Sequence, residues 1–140
     1  MVSRFNRRVT DRLLQGALSV FKKNGILSDR LEIIEVPGAF EIPGVALRMG
    51  QSGQFNAIIC LGAVIQGETD HYHYVCSEVS RGVGQVSIQL GLPVIFGVLT
   101  TSSLKQAMDR SGGKLNKGAE SAEAAIEMGL LYQRLGVKRG

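Results

Sequence analysis

The segment Gly67-Glu68-Thr69-Asp70-His71 lies where an apolar, strand-like run gives way to a helical pattern. At such a junction the first helical turn leaves backbone N–H groups without internal partners, and the helix dipole adds positive potential. The segment is an anion site by construction. Neither a Walker-type lysine motif nor a G-x-G-x-x-G accompanies it, so a single phosphate or carboxylate is a more economical ligand than a nucleotide. His71, in the first turn, titrates in the range where it can shuttle protons beside that anion, although a plain surface histidine would fit the same place. His73, two residues on, faces another side of the helix; it makes no metal pair with Cys76 and reads as solvated.

Other residues could complete such a site. Arg110 falls near the end of a helix, where a guanidinium serves either the dipole or a phosphate. Lys114 and Lys117 follow in a Gly-rich loop and are either solvated charges or ligand contacts. Phe5 and Phe40 each sit near the end of a strand, where an exposed ring could stack on a planar heterocycle; core packing explains either equally well. Phe96, inside an apolar run, reads as core.

The elements that must position these residues follow from periodicity. Val9, Leu13, Ala17, Leu18 and Phe21 recur at helical spacing between Arg7 and Asn24, and Asn24-Gly25 is a stop signal. Leu31 to Val36 reads as a strand closed by Pro37-Gly38, and a helix follows around Pro43 to Met49. Ala57 to Ile65 has no polar alternation, as expected of a central strand buried on both faces of a parallel sheet. Asp70 opens a long helix that ends at Gly91 and Pro93. Val94 to Thr100 is the next buried strand, and Thr101 or Ser102 caps a helix that breaks at Ser111-Gly112-Gly113. The last helix runs from about Ala119 to Leu135. Alternating strands and helices, joined by right-handed crossovers, give a parallel sheet with helices on both faces. Ligands of such sheets bind beyond the carboxyl ends of the strands, where Pro37–Glu41, Gly67–His71 and Thr100-Thr101 converge.

Composition narrows the function. At 140 residues the chain makes one domain, residues 1–140, and 44% hydrophobic against 20% charged residues is the balance of a folded protein. The formal charge of +4 is spread over several segments; Arg4, Arg8 and Arg12 form a solvated helix face without interleaved aromatics, so nucleic acid is not expected. No apolar run is long enough for a membrane span and no signal peptide opens the chain, so a cytoplasmic location is expected. Cys60 and Cys76 sit in apolar or helical patterns and read as small core residues.

Taken together, the motifs resemble one family from end to end. They are Ser3-Arg4-Phe5-Asn6, Pro37-Gly38-Ala39-Phe40-Glu41-Ile42-Pro43, Gly62 to Tyr72 (GAVIQGETDHY), Pro93 to Thr101 (PVIFGVLTT) and Asn116-Lys117-Gly118. In this order they are similar to the lumazine synthases. The resemblance implies a three-layer α/β/α sandwich, flavodoxin-like, with active sites between neighbouring subunits of a ring of five, alone or within a larger shell. It implies condensation of 5-amino-6-(D-ribitylamino)uracil with 3,4-dihydroxy-2-butanone 4-phosphate, with no cofactor and no metal, and riboflavin synthase as a further partner.

Residue by residue, the resemblance implies that Phe5 stacks on the pyrimidine and that Ala39, Phe40 and Glu41 hold the ribityl chain. Ala63, Val64 and Ile65 would meet the pyrimidine edge through backbone groups, and Phe96 would line the site from the adjacent subunit. Glu68 and Thr69, mainly through backbone N–H groups, and Arg110 would hold the phosphate. Lys117 would lie near the pyrimidine, and His71 would transfer protons. Two departures stand out. Only Met1 and Val2 remain of the family's first strand, so a truncated sheet is expected, with neighbouring strands unpaired, the first helix short of its floor and a native start some ten or more residues upstream. The loop Gly112–Gly118 is one residue shorter than the family pattern, which shifts Lys117. A flavin or lumazine carrier on the same scaffold and the archaeal type of riboflavin synthase are rival readings; the first has no use for Arg110 and His71 together.

Overall fold

The computed structural model describes residues 1–136. Strands β1 (Val2–Ser3), β2 (Glu35–Val36), β3 (Ile58–Ile65) and β4 (Val94–Thr101) form one parallel sheet in the order β2-β1-β3-β4. Helices α1 (Arg7–Lys23), α2 (Ile42–Gln51), α3 (His71–Leu90), α4 (Leu104–Arg110) and α5 (Lys117–Arg134) cover it. The fold is a three-layer α/β/α flavodoxin-like sandwich, as the family resemblance implies, and its parallel sheet with helices on both faces is what the alternation of strands and helices predicts.

Two apolar clusters fill the spaces between layers. On one face Ile42, Ala46 and Met49 of α2 and Val79, Val83 and Val86 of α3 close over Ile58, Cys60 and Val98. On the other, Val9, Leu13, Ala17 and Val20 of α1, Ala107 of α4 and Ala122 of α5 close over Val2, Leu61, Ala63 and Leu99. Residues Cys60 and Leu61 thus face opposite layers, the alternation of a strand buried on both sides.

The first strand is short but present, and it lies in the interior of the sheet. Val2 and Ser3 pair with Glu35 and Val36 on one side, and Val2 pairs with Leu61 on the other. The Met1 nitrogen donates to Ile59 O, and Leu61 N–H donates to Met1 O, each at 2.9 Å. The expected orphaning of the neighbours is therefore partly averted on the β3 side. It shows instead in β2, where the predicted strand Leu31–Val36 shrinks to Glu35–Val36, because β1 offers two residues of ladder and no more. Nor does α1 lack a floor: it packs chiefly against α5, with β3 beneath. Gly118 permits that approach, since a Cβ there would run into the Leu13 backbone.

Two helix starts differ from the sequence reading. Thr101 is the last residue of β4 and Ser102 binds the Gln106 side chain; Ser103 is the cap of α4, accepting from Gln106 N–H at 3.2 Å. The last helix begins at Lys117, ahead of Ala119, because Asn116 Oδ1 accepts from both Gly118 N–H and Ala119 N–H. Lys117 thus stands on a helix rather than in a loop. Among the described residues no helix is long and apolar enough to cross a membrane.

Candidate active site

Two turns meet at the carboxyl end of the sheet, joined to each other and to β3 by specific hydrogen bonds. After β1 the chain turns through Arg4, Phe5 and Asn6. Arg4 N–H donates to Val36 O at 2.8 Å and Phe5 N–H to Pro37 O at 3.0 Å, which draws this turn against Gly38–Glu41. Asn6 has φ 60° and ψ 44°, the left-handed conformation, and its Nδ2 donates to Ala63 O of β3 at 2.8 Å. Phe5, Ala39, Phe40, Glu41 and Ala63 are thereby brought to one rim, with Val64 and Ile65 next along β3.

The aromatic rings of this rim face solvent. Phe5 is 71% exposed and Phe40 54%, so neither spends its apolar surface on the core and both are free to meet a planar ligand. Glu41 accepts from Gly38 N–H through Oε2 at 3.0 Å, which fixes the carboxylate while leaving Oε1 open. Ala39 is buried and supports the turn from below.

Beyond β3, Gln66 to Asp70 is exposed and leads into α3 at His71. Asp70 makes no side-chain cap, and Thr69 Oγ1 approaches His71 N–H at 3.4 Å. The donors at the start of a 20-residue helix are thus left largely to a ligand. Glu68, Thr69 and His71 all lie here, exposed. Tyr72, the next residue, is held on the protein: burial and its hydrogen-bonded neighbour Cys76 push its phenol up, while a hydrogen bond with Thr100 opposes them. His73 is exposed, its ring edge-on to Tyr72. Among the described residues no group of three or more His, Cys, Asp or Glu is placed to hold a metal.

The remaining expected residues lie elsewhere. Phe96, Arg110 and Lys117 line an open cavity of about 350 Å³ that runs along β4, with Thr100, Thr101, Glu120 and Ser121. The sequence reading of Phe96 as core is corrected: the ring is 42% exposed, because β4 is an edge strand and, among the described residues, no further strand lies along its outer side. Arg110 Nη1 donates to Gln106 O of its own helix at 3.1 Å, and Lys117 Nζ pairs with Glu120 at 2.8 Å. Phe96 pairs with Cys60, whereas Leu99 pairs with Ala63. At about 3.3 Å per residue the ring sits roughly 10 Å below the rim. The structure therefore assembles the candidate residues as two groups, one at the sheet's carboxyl end and one along the β4 edge. Lys114 is exposed in the turn between α4 and α5.

Two residues of this region stand in the motifs quoted above but were assigned no role there. Asn6 and Asn116 both stand immediately before a helix, and asparagine's preference for helix starts and left-handed backbone was the available signal.

With the geometry in place, comparison with known families is decisive. Residues 1–133 match the model of 6,7-dimethyl-8-ribityllumazine synthase. The chain belongs to that family. The match spans both groups of candidate residues and the short first strand, so every segment at the rim and along the β4 edge falls within it.

Proposed function

We propose that the protein is a transferase that condenses 5-amino-6-(D-ribitylamino)uracil with 3,4-dihydroxy-2-butanone 4-phosphate, giving 6,7-dimethyl-8-ribityllumazine, phosphate and water in the penultimate step of riboflavin biosynthesis. The observation that carries this reading is the family match over residues 1–133. The reaction needs an imine between the pyrimidine amine and the ketone, loss of phosphate, ring closure and dehydration. Holding two substrates together supplies much of what such a sequence requires, up to ~7–11 kcal/mol in well-oriented systems.

In this reading Phe5 stacks on the pyrimidine, whose edge meets the backbone of Ala63, Val64 and Ile65. Ala39, Phe40 and Glu41 hold the ribityl chain, with the open Oε1 of Glu41 accepting from a hydroxyl. The uncapped start of α3, through the backbone of Glu68 and Thr69, takes the phosphate, and His71 moves protons beside it. Phe96, Arg110 and Lys117 serve the site of the neighbouring subunit in a ring of five. Their separation from the rim supports that arrangement, as does the unpaired edge of β4, which a second copy would cover. A cytoplasmic setting and hand-over of the product to riboflavin synthase complete the proposal.

The decisive experiment supplies both substrates and follows lumazine absorbance together with phosphate release. A carrier binds lumazine and releases no phosphate; an archaeal-type riboflavin synthase consumes lumazine. Either result refutes the proposal. Shared sites are tested by co-assembling His71→Ala with Arg110→Ala chains: activity above that of either variant alone is expected, and no recovery argues for sites within single subunits.

A further inference from the structure

The six residues between α4 and α5, 111–116, separate Arg110 from Lys117, and one side chain governs how that loop closes. Asn116 Nδ2 donates to Ser111 O at 2.8 Å and to Arg12 O at 3.0 Å. Its Oδ1 accepts from Gly118 N–H at 2.9 Å and Ala119 N–H at 3.1 Å. A carboxamide has two donor hydrogens and two acceptor lone pairs, so every hydrogen-bonding position is filled and the amide cannot be turned without losing all four bonds. Ser111 directly follows Arg110, and Gly118 directly follows Lys117. The amide therefore ties together the two ends of the loop and fastens both to α1. Gly16 of α1 makes room for it, since a Cβ at that position would fall on the Asn116 side chain.

A helix cap alone would use only the oxygen. The two donor bonds have no role in starting α5; what they fix is the distance from the end of α4 to the start of α5, and the seating of that pair on α1. Arg110 and Lys117 are both exposed or half-exposed, and neither is anchored to another element: Arg110 bonds its own helix and Lys117 pairs with Glu120 one turn along. Their placement relative to each other depends on the backbone beneath them.

We infer that Asn116 is a positioning residue, whose donor bonds to Ser111 and Arg12 fix the end of α4 against α1 and so place Arg110 to hold the phosphorylated substrate, while its cap holds the start of α5 and Lys117. The inference rests on the proposed reaction for its substrate but not for its geometry. Asn116→Asp is the discriminating variant. It keeps an oxygen for the Gly118 and Ala119 amides, and a carboxylate is a favoured cap at a helix N-terminus. It also turns the donor into a second oxygen facing two carbonyls, so the tether opens while the cap survives. Asn116→Ser, which caps α5 but is too short to reach Arg12 O, gives the same loss without added charge and serves if the Asp variant does not fold.

For both variants the expected result is a KM for the butanone phosphate raised at least tenfold with the pyrimidine KM within twofold. Inorganic phosphate, titrated by calorimetry into the intact oligomer, should bind at least fivefold more weakly. A lowered Tm with both KM values and phosphate affinity unchanged would make Asn116 a helix cap and nothing more, overturning the inference. So would an equal rise in both KM values. Because phosphate binding is read without turnover, a wild-type protein that binds phosphate in an Asn116-dependent way but forms no lumazine refutes the reaction and leaves the positioning role standing.

Discussion

Asn6 combines two demands in one residue, and a pair of substitutions separates them. Its backbone is left-handed, the one non-glycine positive φ among the described residues, and its amide holds Ala63 O at 2.8 Å. Asn6→Gly removes the tether, worth ~1 kcal/mol as an intramolecular hydrogen bond. Glycine adopts the backbone without strain, yet its freer unfolded chain costs a further ~0.5–1 kcal/mol. The net loss is roughly 1.5–2 kcal/mol. Asn6→Ala loses the same bond and must also hold an alanine in the left-handed region, at ~1–2 kcal/mol, for a total of about 2–3 kcal/mol. A domain of this size shifts in Tm by roughly 3–5 °C per kcal/mol. Circular dichroism melts should therefore rank wild type above Asn6→Gly above Asn6→Ala, with steps of several degrees. Phe5 precedes this residue, so both variants should also raise the pyrimidine KM more than the butanone phosphate KM. If Asn6→Ala melts with or above Asn6→Gly, the left-handed turn carries no strain that matters. If both melt with the wild type, the tether to Ala63 contributes nothing.

Three further outcomes are expected. Arg110→Lys keeps the charge but loses the planar fork, so the butanone phosphate KM should rise clearly more than the pyrimidine KM; equal changes would remove Arg110 from the phosphate. His71→Ala should lower kcat roughly 10- to 1,000-fold with substrate binding nearly intact, and an unchanged kcat across the pH range would return His71 to an ordinary surface residue. Burial pushes the Cys60 thiol from 9.0 up to about 12. The folded state therefore keeps a proton that the unfolded chain gives up: the stabilisation is complete below pH 9 and declines as pH rises toward 12. Urea midpoints should fall over that alkaline window in the wild type and fall less in Cys60→Ala; parallel declines would assign the effect to other groups.

Much of this fold was legible because burial on one or both faces leaves a period in the sequence. The α1 stripe Val9, Leu13, Ala17 and the unbroken apolar run of β3 both sit where periodicity places them. What was not legible depends on neighbours. Leu31 to Ile34 has strand-like residues, but a strand requires a partner and β1 pairs only with Glu35 and Val36. Phe96 looks like core in a one-dimensional reading, since nothing local tells an edge strand from a central one. The turn segments carrying Phe5, Phe40 and His71 were recognisable as the ends of strands, yet the bonds that join them, such as Asn6 to Ala63, connect residues far apart in sequence. For the same reason Asn116 could be suspected as a cap, while its hold on Arg12 could not.

The two-residue strand β1 has a consequence for how the molecule is made. It sits between β2 and β3, and the Met1 nitrogen reaches Ile59, 58 positions away. Closing so long a loop costs entropy before any contact repays it, and β1 has only a handful of ladder bonds with which to do so. The eight-residue ladder between β3 and β4 closes a shorter loop around α3 and gains far more. Pulse-labelled hydrogen exchange during refolding should accordingly protect the β3–β4 amides before Leu61 N–H, which waits for Met1 O; simultaneous protection would refute this order. The slot between β2 and β3 is thus one that the rest of the sheet has to build before β1 can occupy it.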